Sequence, residues 1–265
     1  MSGLATGFDS RDYMWPEALV PGTADQGRAR LHTVSPPRRQ DGVACCVSAT
    51  TVYCFELLDF YHHREKCRPL SVLFNYFTAR KKAQHSTENP SQELIFQDGF
   101  EAARTLGICT RDQHPKTISP ATSSQQPHQN AIAEAAAYQS WHRKRDMRLS
   151  YRRFNRPDDI DRIRTFLVDR VPVAIGIWLN DAYEGLNRDR PVLSASPGRS
   201  RSLHAVTAVG YHDRKLDADG DPAGAFLIKD SRGSSFGDGG YWWLPYALCK
   251  MLIYQAWTLN YEEDD

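Results

Sequence analysis

Apolar positions recur at helical spacing in the first half of the chain and form short continuous runs in the second half. The first helical pattern predicts a helix of about four turns that begins near Cys46. Two further helices are predicted over 71–82, where Ser71 can cap the first turn, and over 96–106, which ends at Gly107. The first half is therefore predicted to be mainly helical.

The second half has the pattern of a β-sheet interrupted by one helix. A Ser-, Pro- and Gln-rich loop at 117–130 and an Ala-rich helical segment at 131–141 separate it from the first half. A capped helix is predicted over 158–168. Apolar runs typical of strands lie at 147–154, 171–179, 203–211, 225–229 and 252–259.

Helices followed by strands favour an α+β fold with two lobes. We expect residues 1–39, which are rich in Gly, Pro, Arg and Ser, to form a wrapping lead-in to a domain at 40–265. Within that domain, the helical N-terminal lobe should occupy about 40–125 and the antiparallel β-sheet lobe about 145–260. A cleft between lobes is a common place for an active site.

Composition narrows the function classes. The chain has 265 residues, 41% hydrophobic residues and a net charge of +1, which is typical of a globular protein and gives no global attraction to nucleic acid or membrane. Its longest apolar run, 171–179, is far shorter than the roughly 20 residues that span a bilayer, and no signal segment is visible. The six cysteines show no zinc spacing, so free thiols in a reducing compartment are expected and no metal is expected.

One cysteine has the position of a nucleophile. Cys46 lies at the predicted start of a helix, where unpaired N–H groups and the helix dipole favour a thiolate. Six residues upstream, the amide of Gln40 could donate a hydrogen bond to an oxyanion, together with the N–H of Cys46.

A histidine and a carboxylate follow on two predicted strands. His204 lies within the apolar run 203–211, and Asp230 ends the run 225–229. Antiparallel pairing of these strands would place the carboxylate beside the imidazole. Cys46, His204 and Asp230 then have the residue types of a nucleophile, a general acid/base and an orienting group.

Five segments in consistent order resemble the papain-like cysteine peptidases, in particular their bacterial branch. The first resembles the Gln-Gly-x-x-Gly-x-Cys-x-Ala signature of that family, and the fourth its His-Ala-Val-x-x-Val-Gly-Tyr strand. The last is similar to the Asn-Ser-Trp-Gly block. The segments are RQDGVACCVSA (39–49), LSVLFNY (70–76), DGFEAARTLGIC (98–109), HAVTAVGY (204–211) and IKDSRGSSFGDGGY (228–241).

The resemblance implies a two-lobed papain-like fold and a peptidase that needs no cofactor. It implies that Cys46 is the nucleophile, His204 the general acid/base, Asp230 the orienting residue and Gln40 the oxyanion donor. A protein substrate is the implied partner.

The sequence departs from the family pattern in three places. Asp230 replaces the usual Asn, and the added charge should favour the imidazolium form of His204. Arg232 and Phe236 replace two tryptophans, and Arg232 could pair with Asp230 and weaken its hold on the imidazole. The loop at 88–93 lacks the glycines of related enzymes, so a narrower substrate range is expected.

The sequence leaves three functional hypotheses open. The first is a cysteine endopeptidase, interpreted as a secreted bacterial effector or toxin domain because no long pro-segment, signal peptide or dense disulfides are visible. Such a protein would be cytoplasmic or delivered by a secretion system, with an inhibitory or immunity protein as a candidate partner. The second is a deamidase or acyltransferase that uses the same triad, and the third is a peptide-binding pseudoenzyme.

Two other motifs are given structural interpretations. The basic cluster at 143–156 is interpreted as a solvated face, and nucleic acid is not an expected partner. The acidic segment 217–221 fails the EF-hand spacing because Pro222 occupies the glycine position, so a hairpin loop is predicted.

Overall fold

A computed structural model describes residues 4, 27–62, 67–143, 147–197 and 199–263 of the chain. Within these residues the long helices of the first half pack against a seven-stranded antiparallel sheet. The predicted α+β class is confirmed.

The helices lie mainly in the first half of the chain. The first, α1, is the central one: from Cys46 to Asp59 every residue is buried, so it is surrounded by protein rather than lying on the surface. Ser71 caps α2, because its hydroxyl accepts a hydrogen bond from the N–H of Phe74 at 3.1 Å. The helices are α1 (Cys46–His62), α2 (Val72–Lys82), α3 (Phe96–Leu106), α4 (Pro120–Ser123), α5 (Gln129–Arg143), α6 (Ile160–Val168) and α7 (Tyr246–Leu252).

The strands form one sheet in the spatial order β2-β7-β3-β4-β5-β6, and β1 pairs with the far end of β4. Neighbouring strands are antiparallel throughout. The strands are β1 (Arg28–Arg30), β2 (Met147–Arg153), β3 (Val173–Asn180), β4 (Arg199–His212), β5 (Ala225–Lys229), β6 (Tyr241–Pro245) and β7 (Ile253–Glu263).

Two apolar clusters hold these elements together. The first lies between the helices and one face of the sheet and includes Phe96, Phe100 and Trp257. The second lies on the other side of the sheet and includes Phe226 and Trp242. Burial of large aromatic side chains supplies much of the free energy of folding. The site described below lies where elements from both clusters meet.

The structure corrects several predicted elements. The lead-in contains a strand, Arg28–Arg30, and the predicted loop contains the short helix Pro120–Ser123. The run at 252–259 is preceded by helix α7, and the strand itself extends to Glu263. An apolar run does not by itself distinguish a short helix from a strand. The sequence therefore did not predict α7 and placed its last residue, Leu252, in the strand. Strand β6 was also missed.

Other elements are close to their predicted bounds. The helices predicted over 71–82 and 96–106 are confirmed, and Gly107 follows α3 with a φ of +74°. The predicted boundaries of the lead-in and of the two lobes stay a prediction. In the described part of the chain, the helices are all too short or too polar to cross a membrane.

Candidate active site

Cys46 is the first residue of α1 and is wholly buried. The chain reaches it through a tight turn in which Asp41 and Gly42 have φ values of +38° and +82°. The N–H of Val43 donates to the carbonyl of Gln40 at 2.8 Å, and this bond closes the turn. The sulfur therefore lies at a helix N-terminus, where the helix dipole and unpaired N–H groups favour a negative charge.

His204 lies in the middle of β4, opposite Ile177 of β3, and is 2% exposed. Its Nε2 lies 2.9 Å from Oδ1 of Asp230, the residue that follows β5. The structure thus brings together the imidazole and the carboxylate that the sequence placed on two neighbouring strands.

The imidazole of His204 also makes a hydrogen bond with the thiol of Cys46. Burial alone would lower the pKa of His204, but the charge of Asp230 and the hydrogen bonds to Asp230 and Cys46 outweigh it and raise this pKa to about 10. The arrangement therefore favours an imidazolium beside the sulfur.

The carboxylate of Asp230 is wholly buried and accepts four hydrogen bonds. Oδ1 accepts hydrogen bonds from Nε2 of His204 at 2.9 Å and from the N–H of Ser231 at 2.7 Å. Oδ2 accepts hydrogen bonds from the hydroxyl of Tyr183 at 2.9 Å and from the indole N–H of Trp242 at 2.8 Å. Burial would raise the pKa of Asp230, but the charge of His204 and these hydrogen bonds keep it below its usual value.

Gln40 is connected to the residue after Asp230. Its backbone N–H donates to the carbonyl of Ser231 at 3.1 Å, and its side-chain Oε1 accepts from the hydroxyl of Ser231 at 2.7 Å. Gln40 is 6% exposed, so the amide is held inside the protein. Because Ser231 engages the oxygen, the NH₂ end of the amide is turned away from Ser231.

Arg232 does not form the alternative pair with Asp230 that the sequence left open. The guanidinium of Arg232 instead binds the carboxylate of Glu184, with N–O distances of 3.2 and 2.6 Å. It also lies over the rings of Tyr183 and Phe236, 5.7 and 5.2 Å from their centroids. Glu184 keeps this positive charge on the outer side of Tyr183, so it does not compete with His204 for Asp230.

The loop at 88–93 is fixed by a buried tyrosine. The hydroxyl of Tyr76 lies 3.1 Å from the carbonyl of Pro90 and 2.8 Å from that of Gln92. Directly after this loop, Leu94 forms a parallel β-bridge with Leu4 of the lead-in. The lead-in therefore contributes at least one residue to this side of the molecule.

Leu4 is 2% exposed and packs near the strand beside His204. A Cβ added to Gly176 would lie only 2.6 Å from Cδ2 of Leu4, and Gly176 pairs with Ala205, the neighbour of His204. Cys46 is also wholly buried and belongs to the same apolar cluster as Leu4, so protein atoms cover the sulfur in this structure.

Two groups with a direct role in the geometry were missed by sequence reasoning. Tyr183 lies in a 3₁₀ turn after β3, and Trp242 lies in β6. Neither residue belongs to a local pattern that indicates a partner, because Tyr183 binds Asp230 from 47 positions away in the chain. Only the tertiary structure brings these donors together.

The remaining motifs form no site among the described residues. The segment 217–221 is a turn in which Oδ1 of Asp217 accepts the N–H groups of Asp219 and Asp221 at 2.9 and 3.0 Å. Within the described ranges, no group of three or more His, Cys, Asp or Glu residues is arranged to hold a metal ion. The side chains at the start of the basic cluster lie outside the described residues, whereas Arg153 lies 5.8 Å from the ring centroid of Trp257.

The chain has the fold of the papain-like cysteine peptidases, as its resemblance to them implied. It is similar over 98% of its length to xylellain, a cysteine protease from Xylella fastidiosa, with a TM-score of 0.78, 20% identity and 95% of that chain covered. It is also similar to the bromelain protease from Ananas comosus, with a TM-score of 0.62 and 16% identity over 87% of this chain and 95% of that one.

Sequence comparison also finds a relative. An uncharacterized peptidase C1-like protein of Acanthamoeba polyphaga mimivirus is 22% identical over 211 residues, which is 78% of this chain. The match spans 63% of that relative's length. No model of a known protein family matches the chain.

Proposed function

We propose that the protein is a cysteine endopeptidase whose triad is Cys46, His204 and Asp230, with Gln40 as the oxyanion donor. The observation that carries the proposal is the continuous chain of hydrogen bonds from the thiol at the start of α1, through His204, to Oδ1 of Asp230 at 2.9 Å. A nucleophile beside a base, and a base beside an orienting group, is the arrangement on which covalent catalysis depends.

In the proposed reaction the Cys46 thiolate attacks the carbonyl carbon of a peptide bond. The Gln40 amide and the N–H of Cys46 stabilise the oxyanion, and the His204 imidazolium protonates the leaving amine. A water molecule, deprotonated by His204, then attacks the acyl-enzyme, the C–S bond breaks, and the Cys46 thiolate and the His204 imidazolium are restored. Asp230 stays ionised and holds the imidazole in place.

The substrate in this proposal is a protein whose chain enters past the loop at 88–93. The loop is tied to Tyr76 through two carbonyl oxygens, at 3.1 and 2.8 Å, which supports a selective enzyme over one that accepts any extended chain. A selective peptidase suits an effector or toxin domain that acts in the cytoplasm or is delivered into another cell, with an inhibitory or immunity protein as its partner.

The experiment compares new N-termini that the wild type and Cys46→Ala generate in a bacterial proteome. Cys45→Ala is the matched control, because Cys45 is adjacent and equally buried, and burial raises the pKa of its thiol far above the usual range. We expect cleavage by the wild type and by Cys45→Ala and none by Cys46→Ala. Cleavage that survives in Cys46→Ala contradicts the proposal.

The same samples distinguish the other two chemistries. A mass gain of about one unit at glutamine, or a transferred acyl group, without new chain ends would identify a deamidase or an acyltransferase. Binding of peptides without any covalent change would identify a pseudoenzyme.

A further inference from the structure

The environment of Asp230 explains why this chain has an aspartate where related enzymes have an asparagine. An ionised carboxylate has about four lone-pair positions and no hydrogen to donate. All four positions of Asp230 are used: His204 and the Ser231 N–H at Oδ1, and Tyr183 and Trp242 at Oδ2. The side chain is 0% exposed, so bulk solvent cannot replace a lost partner.

An asparagine could not make the same four bonds. Its single carbonyl oxygen could still accept from His204 and the Ser231 N–H. Its NH₂ group would then replace Oδ2 and face the indole N–H of Trp242, which lies 2.8 Å from that atom and can only donate. The NH₂ group could still donate to the hydroxyl of Tyr183. The indole N–H of Trp242, however, would face another donor and lose its acceptor in a buried site, which is costly.

We propose that Tyr183 and Trp242 are positioning residues that make the orienting position of the triad specific for a carboxylate. This inference rests on the proposed function, since it assigns a role relative to His204. The two donors fix the plane of the carboxylate, so that Oδ1 stays directed at Nε2 of His204 and the imidazole stays directed at Cys46.

The position of Tyr183 is itself held by packing and charge. Its ring makes an edge contact with Trp242, with centroids 5.9 Å apart, and packs 5.0 Å from Phe236. Arg232, bound to Glu184, lies over its outer face. Burial and the neighbouring charge of Asp230 raise the pKa of Tyr183, so the phenol keeps its proton and remains a donor.

Arg232 therefore has a different role from the tryptophan it replaces in the family pattern. It covers Tyr183, and Tyr183 in turn holds Asp230. Asp230 thus packs as one unit with its donors Tyr183 and Trp242 and with Arg232, which covers Tyr183. The two donors require a carboxylate at this position.

The test is a set of variants measured on one fluorogenic peptide or protein substrate of the wild type. Asp230→Asn should lower kcat/KM about 100-fold, because the amide faces Trp242. Trp242→Phe should lower kcat/KM about tenfold on its own, yet raise it several-fold when added to Asp230→Asn, because it removes the opposing donor. Tyr183→Phe should lower it about tenfold with KM nearly unchanged.

Tyr246→Phe is the matched control. Tyr246 also donates a hydrogen bond to a carboxylate, Oδ1 of Asp213 at 2.9 Å, but this pair does not contact the triad. Its loss should leave kcat/KM within about twofold of the wild type. Thermal unfolding of each variant separates loss of folding from loss of positioning, and Tyr183→Phe, which keeps the ring, carries the test if Trp242→Phe does not fold.

A second measurement is independent of turnover. In protein labelled with ¹⁵N-histidine, the proton on Nε2 of His204 should resonate downfield in the wild type, and Tyr183→Phe and Asp230→Asn should move it, while Tyr246→Phe leaves it in place. If the wild type cleaves nothing, the proposed function fails, but this signal still tests the network. The inference is overturned if the activity of Asp230→Asn lies within threefold of the wild type. It is also overturned if Trp242→Phe has an equal effect on kcat/KM in both backgrounds, or if the resonance of the Nε2 proton does not move.

Discussion

The amine of Lys229 lies 3.9 Å from the centroid of the Tyr53 ring, and the Tyr53 hydroxyl donates to the backbone carbonyl of Asp230 at 3.5 Å. It donates a hydrogen bond to the carbonyl of Ser35 at 2.6 Å, and Glu56 is the nearby negative charge. Burial lowers the pKa of Lys229 to about 8, although Glu56 opposes this shift. The buried charges of Lys229 and Glu56 therefore lie close to the candidate site, and Tyr53 and Lys229 connect them to Asp230.

Glu56→Gln should destabilise the protein strongly. Glu56 is 1% exposed, accepts from the N–H of Leu70 at 2.8 Å and pairs with Arg38. Neutralising it leaves Arg38 and Lys229 as buried cations without a counter-charge, which typically costs about 3–5 kcal/mol. Urea unfolding measures the loss. Asp112→Asn is the control, because its partner Lys116 and Asp112 itself are exposed, and we expect no measurable change there.

The buried histidine His114 should make the protein sensitive to acid. It is 6% exposed, and burial lowers its pKa to about 4, compared with about 6.5 in the unfolded chain. Between these two values the unfolded state binds the proton more tightly, so stability falls as the pH falls from about 6.5 to 4, by up to about 3 kcal/mol.

His114→Gln removes this titration, so the free energy of unfolding should depend less on pH across the same interval. Urea unfolding at pH 7 and at pH 4.5 gives the two slopes. His128→Gln serves as the control because His128 is exposed. Equal slopes for the wild type and His114→Gln would show that His114 does not cause the acid sensitivity.

Gly107→Ala should be costly because two constraints coincide. The residue ends α3 with a φ of +74°, which is unfavourable for any residue with a Cβ. A Cβ there would also lie 2.1 Å from the carbonyl oxygen of Ala135 in α5. We expect a loss of about 3 kcal/mol or more. Gly239 has a similar φ of +67° with nothing within 4 Å, so Gly239→Ala should cost about 1 kcal/mol. Equal losses would show that the contact with α5 is not important.

Leu4→Asp should make Cys46 more accessible. Leu4 is buried beside Leu94 and Gly176, and a carboxylate cannot remain there without a partner. Release of this contact should increase the rate at which a thiol reagent modifies Cys46 by several-fold. Leu216→Asp, at a position 51% exposed, should leave the rate unchanged. An unchanged rate in Leu4→Asp would mean that Leu4 does not restrict access.

Local signals were sufficient for many elements of the fold. Ser71 and Gly107 mark helix ends through side-chain capping and a left-handed backbone, and both effects act within a few residues. The order of the motifs also placed His204 and Asp230 on neighbouring strands. Continuous apolar runs also predicted where strands lie, as for the wholly buried β5.

Other features depend on contacts that the sequence pattern does not encode. Strand β1 is three residues long and is defined by its pairing with the end of β4. Tyr183 and Trp242 become donors to Asp230 only when β3, β5 and β6 have assembled. Arg232 pairs with Glu184 rather than Asp230, because the carboxylate of Asp230 is already surrounded by four donors.

Covalent labelling with a peptide epoxide tests the central claim most directly. Peptide mapping by mass spectrometry after incubation should find one adduct per chain, on Cys46, and none on the adjacent Cys45. His204→Ala should abolish the adduct, because the thiolate then loses the imidazolium that stabilises it. Absence of an adduct in the wild type, an adduct on Cys45, or equal labelling of His204→Ala would contradict the assignment of Cys46 as an activated nucleophile.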